Sequence, residues 1–119
     1  MSDVVFRFEK LNVYQRSLQL TNKIYNFTKS WPKEYLYDLT SQIRRASLSI
    51  TLNIAEGSGR TKNEFKHFLQ IARSSCFEII PLIEIACKQT LVTVEEKAEI
   101  IDEIKELSKM LSSLKSSLK

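Results

Sequence analysis

Few residues in this 119-residue chain could do covalent chemistry. There is one histidine, His67, and there are two cysteines, Cys76 and Cys87. Helical spacing puts His67 on the polar side of its segment with no second imidazole to join it, the usual setting of a plain surface histidine. Neither cysteine sits in an electropositive context that would hold it as a thiolate nucleophile. They lie eleven apart on one predicted helix, about 16 Å at 1.5 Å per residue, so they cannot bridge each other there. They read as buried, reduced thiols of a cytoplasmic protein. Glu64 and His67 have the Glu-x-x-His spacing of di-metal carboxylate bundles, but such sites need the motif twice with every ligand facing inward, and here it occurs once. Gly57-Ser58-Gly59-Arg60-Thr61-Lys62 contains the residue types of a phosphate loop, yet it follows a predicted helix rather than a strand and lacks the Walker spacing. No catalytic residue, cofactor or metal is assigned.

Binding chemistry is better represented. Arg44, Arg45, Arg60, Lys62, Lys66 and Arg73 form the densest set of cations, interrupted by Glu56 and Glu64. Such a set can hold phosphates without reading sequence, or it can be an ordinary solvated helix face. A second feature overlaps it. At about 100° per residue, Gln42, Arg45, Ser49, Asn53 and Glu56 share one entirely polar arc. It lies between a core arc of Leu39, Ile43, Ala46, Ile50 and Ile54 and a further apolar arc opened by Leu48 and Leu52. Buried polar groups must be paired, and Arg45 and Glu56 are too far apart to meet along one helix. Each must find another helix, another subunit or solvent, so the stripe reads first as a polar network that fixes register. Gly57 and Gly59, the only two glycines, sit where this segment stops, a place where positive φ is cheap.

The elements that carry these residues are helices. Two glycines and two prolines in 119 residues point to long helices joined by short connections. Helix one is predicted from Glu9 or Leu11 to Lys29, with Val13, Ser17, Leu20, Ile24, Phe27 and Trp31 at bundle spacing. Leu11, Tyr14, Leu18 and Tyr25 form a second stripe beside it. Pro32 ends it, and Trp31 plugs one end of the bundle. Helix two is predicted over Leu36 to Glu56. Thr61 with Glu64 is a capping box opening helix three, which reaches Gln89 with a kink at Pro81. Thr93 with Glu96 is a second box, opening a fourth helix with Ile100, Ile104, Leu107, Leu111, Leu114 and Leu118 in its seam. The fold class is therefore all-α: an antiparallel up-down-up-down four-helix bundle, one domain over 1–119 with a short N-terminal arm at 1–8. The doubled apolar stripes argue for a homo-oligomer.

Hydrophobic content of 43% and charged content of 27% are those of a soluble globular domain. The net charge is +4, unevenly spread: residues 1–75 hold 12 Lys/Arg against 6 Asp/Glu, and residues 76–119 hold 6 against 8. The positive charge thus belongs to the first three helices. No apolar run approaches a membrane span, and Met1 to Lys10 has no apolar core of a signal peptide, so no membrane partner and a cytoplasmic location are expected.

The stretch Gln42-Ile-Arg-Arg-Ala-Ser-Leu-Ser-Ile50 followed by Asn53-Ile-Ala-Glu-Gly57 resembles the bacterial 23S rRNA intervening-sequence proteins, a family of four-helix bundles. Phe8-Glu9-Lys10-Leu11, Val13-Tyr14, Trp31-Pro32, Glu64-Phe65, Phe68-Leu69 and Ile71-Ala72 extend the likeness over nearly the whole chain. One departure is that the family has Gly-Ser in helix three where this chain has Ser74-Ser75 after Arg73. The family name describes where some members are encoded, not an activity. The resemblance implies a ring, a pentamer, and extends to the basic accessory proteins of diversity-generating retroelements, which bind nucleic acid. It adds to the polar stripe of Gln42, Arg45, Ser49, Asn53, Glu56 and Gly57 a second reading, as a ligand or RNA contact surface. The function it implies is a non-enzymatic bundle that binds RNA or scaffolds a ribonucleoprotein. The alternative is a structural protein-interaction module with no nucleic-acid partner.

Overall fold

The computed structural model describes residues 6–118, and the expected arm falls mostly outside them, at residues 1–5. Phe6 and Phe8 are not extended away from the bundle. A 3-10 turn at Arg7–Lys10 stacks the two rings with centroids 5.7 Å apart and seats Phe8 edge-on to Tyr14.

Four helices follow: α1 at Asn12–Thr28, α2 at Ser41–Ser58, α3 at Lys62–Lys88 and α4 at Val94–Ser117. Each packs on its neighbour in the chain, α4 closes back onto α1, and the α2–α3 pair is packed most extensively. This is the antiparallel up-down-up-down arrangement, with short connections at 59–61 and 89–93 and a longer one, built of two helical turns, between α1 and α2. The core draws the expected positions from every helix: Leu20 and Ile24, Ile43, Ile50 and Ile54, Leu69, Ile79 and Ile83, and Ile100, Ile104, Leu107 and Leu111 are all fully buried. Trp31 is buried with them at the α1–α2 connection. Among the described residues no helix is long and apolar enough to cross a membrane.

Helix starts match the sequence reading because their signals are local. Thr61 and Thr93 each accept from the backbone N–H three residues on, and Glu64 and Glu96 reach back to the cap N–H. The approach to α2 is less regular: a 3-10 turn at Lys33–Tyr35 and a π turn at Leu36–Thr40 lead into it. α3 continues through Pro81, as its unbroken apolar period requires.

Helix ends depart from expectation. Neither glycine has positive φ. α2 runs through Gly57 to Ser58, and Gly57 is buried. A Cβ there would lie 2.5 Å from Phe68 Cβ and 2.9 Å from Phe65 Cδ1. Gly57 is therefore needed for close approach of α2 to α3, not for a turn. The left-handed stop occurs instead at Thr90, φ 60°, after α3. There the Thr90 N–H bonds to the Cys87 carbonyl at 3.0 Å and the Leu91 N–H to the Ala86 carbonyl at 2.9 Å, the paired bonds of a Schellman end.

Candidate nucleic-acid interface

The six cations grouped by sequence do not form one surface. Arg44 lies in the α1–α2 seam, its Nε donating to Thr28 Oγ1 at 2.8 Å and its guanidinium 4.6 Å from the Tyr25 ring centroid. It continues a run of small polar contacts in that seam: Thr51 Oγ1 donates to Ser17 Oγ at 2.9 Å and Thr21 Oγ1 to the Ser47 carbonyl at 3.2 Å. Arg60 is held by carboxylates on both sides. It bonds to Glu56 and lies 3.8 Å from Glu64, which raises its pKa, chiefly through the Glu56 hydrogen bond. Glu64 in turn is lowered, first by the Thr61 hydroxyl and then by the Thr61 N–H of the capping box. Lys62 is exposed at the start of α3.

The polar stripe divides in the same way. Ser49 and Asn53 turn into the α2–α3 seam. Ser75 Oγ lies 2.8 Å from Ser49 Oγ, and Asn53 Nδ2 donates to the Ser49 carbonyl at 2.7 Å. Gln42 and Arg45 are exposed, facing Glu78 across a shallow groove between α2 and α3. Glu56 is taken up by Arg60. One bond of the stripe, Ser75–Ser49, thus joins two helices, while Gln42 and Arg45 stay open to solvent. Ser74, at the departure from the family pattern, is exposed and does not thicken that seam.

Lys66 and Arg73 come together with a residue that sequence reasoning did not select. They line a groove of about 410 Å³ between α3 and α4 with Gln70, Ser112, Lys115, Ser116 and Leu118. Lys115 Nζ donates to Gln70 Oε1 at 3.1 Å, and Arg73 Nε donates to Ser108 Oγ at 3.2 Å. Among the described residues, three cations, one amide and two hydroxyls line it with Leu118, and no carboxylate does. The reason lies on the other flank of α4. Glu99 and Glu103 face α1, with Lys23 Nζ at 2.5 and 3.1 Å, and Glu106 stands 4.0 Å from Arg16. By sending these carboxylates to α1, the acidic fourth helix leaves a cationic flank toward α3. Net charge by segment hides this, but the opposed spacing of the two charge types on α4 carries it.

The residues weighed for covalent chemistry lie apart, Cys76 in the core and His67 at the surface. Burial pushes the Cys76 thiol up to about 12, with the Arg73 charge opposing weakly, so it is not a thiolate at neutral pH. His67 is exposed and sits edge-on to Phe68. Among the described residues no group of three His, Cys, Asp or Glu could hold a metal ion.

Residues 9–113 match the family model described as 23S rRNA-intervening sequence protein. Among solved structures, the chain is similar to a protein of unknown function from the S23 ribosomal protein family of Bacteroides thetaiotaomicron VPI-5482. That likeness has a TM-score of 0.80 and 26% identity, covering 87% of this chain and 95% of that one. No curated protein matches the chain.

Proposed function

The chain belongs to the 23S rRNA-intervening sequence protein family, and from that premise we propose that it is a non-enzymatic, oligomeric bundle that binds RNA through the α3–α4 groove. The observation that supports this reading is the lining of that groove: Lys66, Arg73 and Lys115, with no carboxylate among the described residues that line it. A surface of that kind attracts a polyanion and holds phosphates without base readout. Assembly multiplies it. Leu52 is 63% exposed and Leu48 38% exposed on the side of α2 opposite its core, and this apolar strip is the proposed contact between protomers. In a ring, here proposed as a pentamer, one such strip meets a different face of the next copy, and the groove repeats around the assembly with a gain in avidity.

The test is an anisotropy titration of structured RNA with the wild type and with Lys66→Glu/Lys115→Glu, alongside circular dichroism. Both substituted side chains sit at the rim of the bundle, so the variant keeps its helical spectrum and loses binding. Equal binding by a folded variant removes the RNA reading. The same exposed leucines then favour the second reading, a protein-interaction module.

A further inference from the structure

Beside the cationic groove stands an aromatic ring that packing does not require. Phe77 is 47% exposed, on the same flank of α3 as Lys66 and Arg73 at spacings of seven and four. Arg73 links the two features, since it lines the groove while its guanidinium lies 5.2 Å from the Phe77 ring centroid. Its Nε is tethered to Ser108 Oγ, which holds the planar cation over the ring. A lone exposed phenylalanine is unremarkable. One that lies under a fixed guanidinium, at the end of a groove lined by cations, is the pairing that single-strand binding sites use, with phosphates on the cations and a base on the aromatic face.

We infer that the nucleic acid taken by this groove is single-stranded, with an unpaired base stacked on the exposed Phe77 ring beside Arg73 and its neighbouring phosphates on Arg73, Lys66 and Lys115. This rests on the RNA-binding reading and narrows it. Bases inside a duplex are stacked and paired, so a side chain on a convex helix face cannot reach their planes. A looped, bulged or terminal base can leave its stack at lower cost. From Lys66 to Phe77 the flank runs about 16 Å at 1.5 Å per residue, room for a few nucleotides. The next carboxylate on that flank of α3 by helical spacing is the exposed Glu84, seven residues beyond Phe77.

Anisotropy titrations with a short single-stranded RNA and with the same sequence as a duplex, on wild type, Phe77→Leu and Phe77→Trp, decide the matter. Leucine keeps an apolar side chain and removes the π face, whereas tryptophan keeps it. The expected result is single-strand binding weakened roughly 5- to 150-fold by Phe77→Leu with its salt dependence unchanged, retained by Phe77→Trp, and duplex binding indifferent to both. Salt-sensitive binding that Phe77→Leu leaves intact overturns the stacking site while sparing the RNA reading. Wild type that binds neither strand removes the RNA reading itself. Light scattering runs in parallel. If Phe77→Leu changes the oligomeric state, the ring belongs to a contact between protomers and the inference is wrong.

Discussion

Replacing Gly57 by alanine sets two effects of opposite sign against each other. Inside a helix, alanine is favoured over glycine by about 1 kcal/mol, so propensity alone predicts a more stable protein. The new methyl, however, would lie 2.5 Å from Phe68 Cβ and 2.9 Å from Phe65 Cδ1. Phe68 Cβ is one bond from the backbone, and no rotamer change moves it. Relief requires α3 to shift away from α2, loosening the Ser49–Ser75 contact and the buried Phe65 and Leu69 nearby. Overpacking of this kind costs about 1–3 kcal/mol, and because the obstruction is backbone-bound the upper end applies, leaving a net loss of about 1–2 kcal/mol after the propensity gain. Gly59→Ala is the matched control. Its φ of −90° and ψ of 3° suit any residue, and the nearest atom to a Cβ there is the Glu56 carbonyl at 3.9 Å. That change should be neutral or stabilise by about 0.4–1 kcal/mol through the unfolded chain. Urea titrations of both variants at one protein concentration read the two signs. A Gly57→Ala protein as stable as wild type would refute the close α2–α3 approach.

Other outcomes follow from single features. Leu52→Glu should shift a wild-type oligomer toward monomer in light scattering, because a lone charge in an apolar contact is costly; a wild type that is monomeric at micromolar concentration sinks the proposed assembly. Thr90→Gly should raise the unfolding free energy by about 1 kcal/mol, read as a higher urea midpoint at unchanged m, since a β-branched residue at positive φ is strained and glycine is not; no gain would mean that φ is not held there. Cys76, with its thiol raised to about 12, is neutral in the fold and ionises first in the unfolded chain, so its contribution is fully present below about pH 9 and declines as pH rises from there toward 12. A Cys76→Ala comparison of stability at pH 8 and pH 10.5 checks that sign: a wild type that loses no more than the variant contradicts it.

The fold was legible because bundle cores announce themselves by period. Ile43, Ile50 and Ile54, or Ile100, Ile104 and Leu107, can be placed inside without knowing what they touch, and the Thr61 and Thr93 capping boxes depend on residues three apart. What was not legible depends on the facing helix. Glycine at a helix end normally signals a turn, and only Phe65 and Phe68 packed across from it give Gly57 its other purpose. Thr90 has no composition signal for a left-handed stop at all. The cations were grouped by nearness in sequence, whereas helix geometry sends Arg44 into the α1 seam and Arg60 to its carboxylates. Lys115, forty-two residues after Arg73, joins Arg73 and Lys66 only once α3 and α4 lie antiparallel at the register fixed by Arg73–Ser108 and Lys115–Gln70.

The salt dependence of RNA binding decides whether the groove does what is proposed. Three cations on a single strand give a slope of log affinity against log salt of about −2 per groove, at roughly −0.7 for each phosphate neutralised. Between about 50 and 200 mM salt, affinity for a short single-stranded RNA should then fall about 20-fold. Lys66→Gln, which removes one charge and adds none, should make the slope shallower by about 0.7. Affinity that holds steady across that range, or a slope that Lys66→Gln leaves untouched, would contradict phosphate binding in the α3–α4 groove.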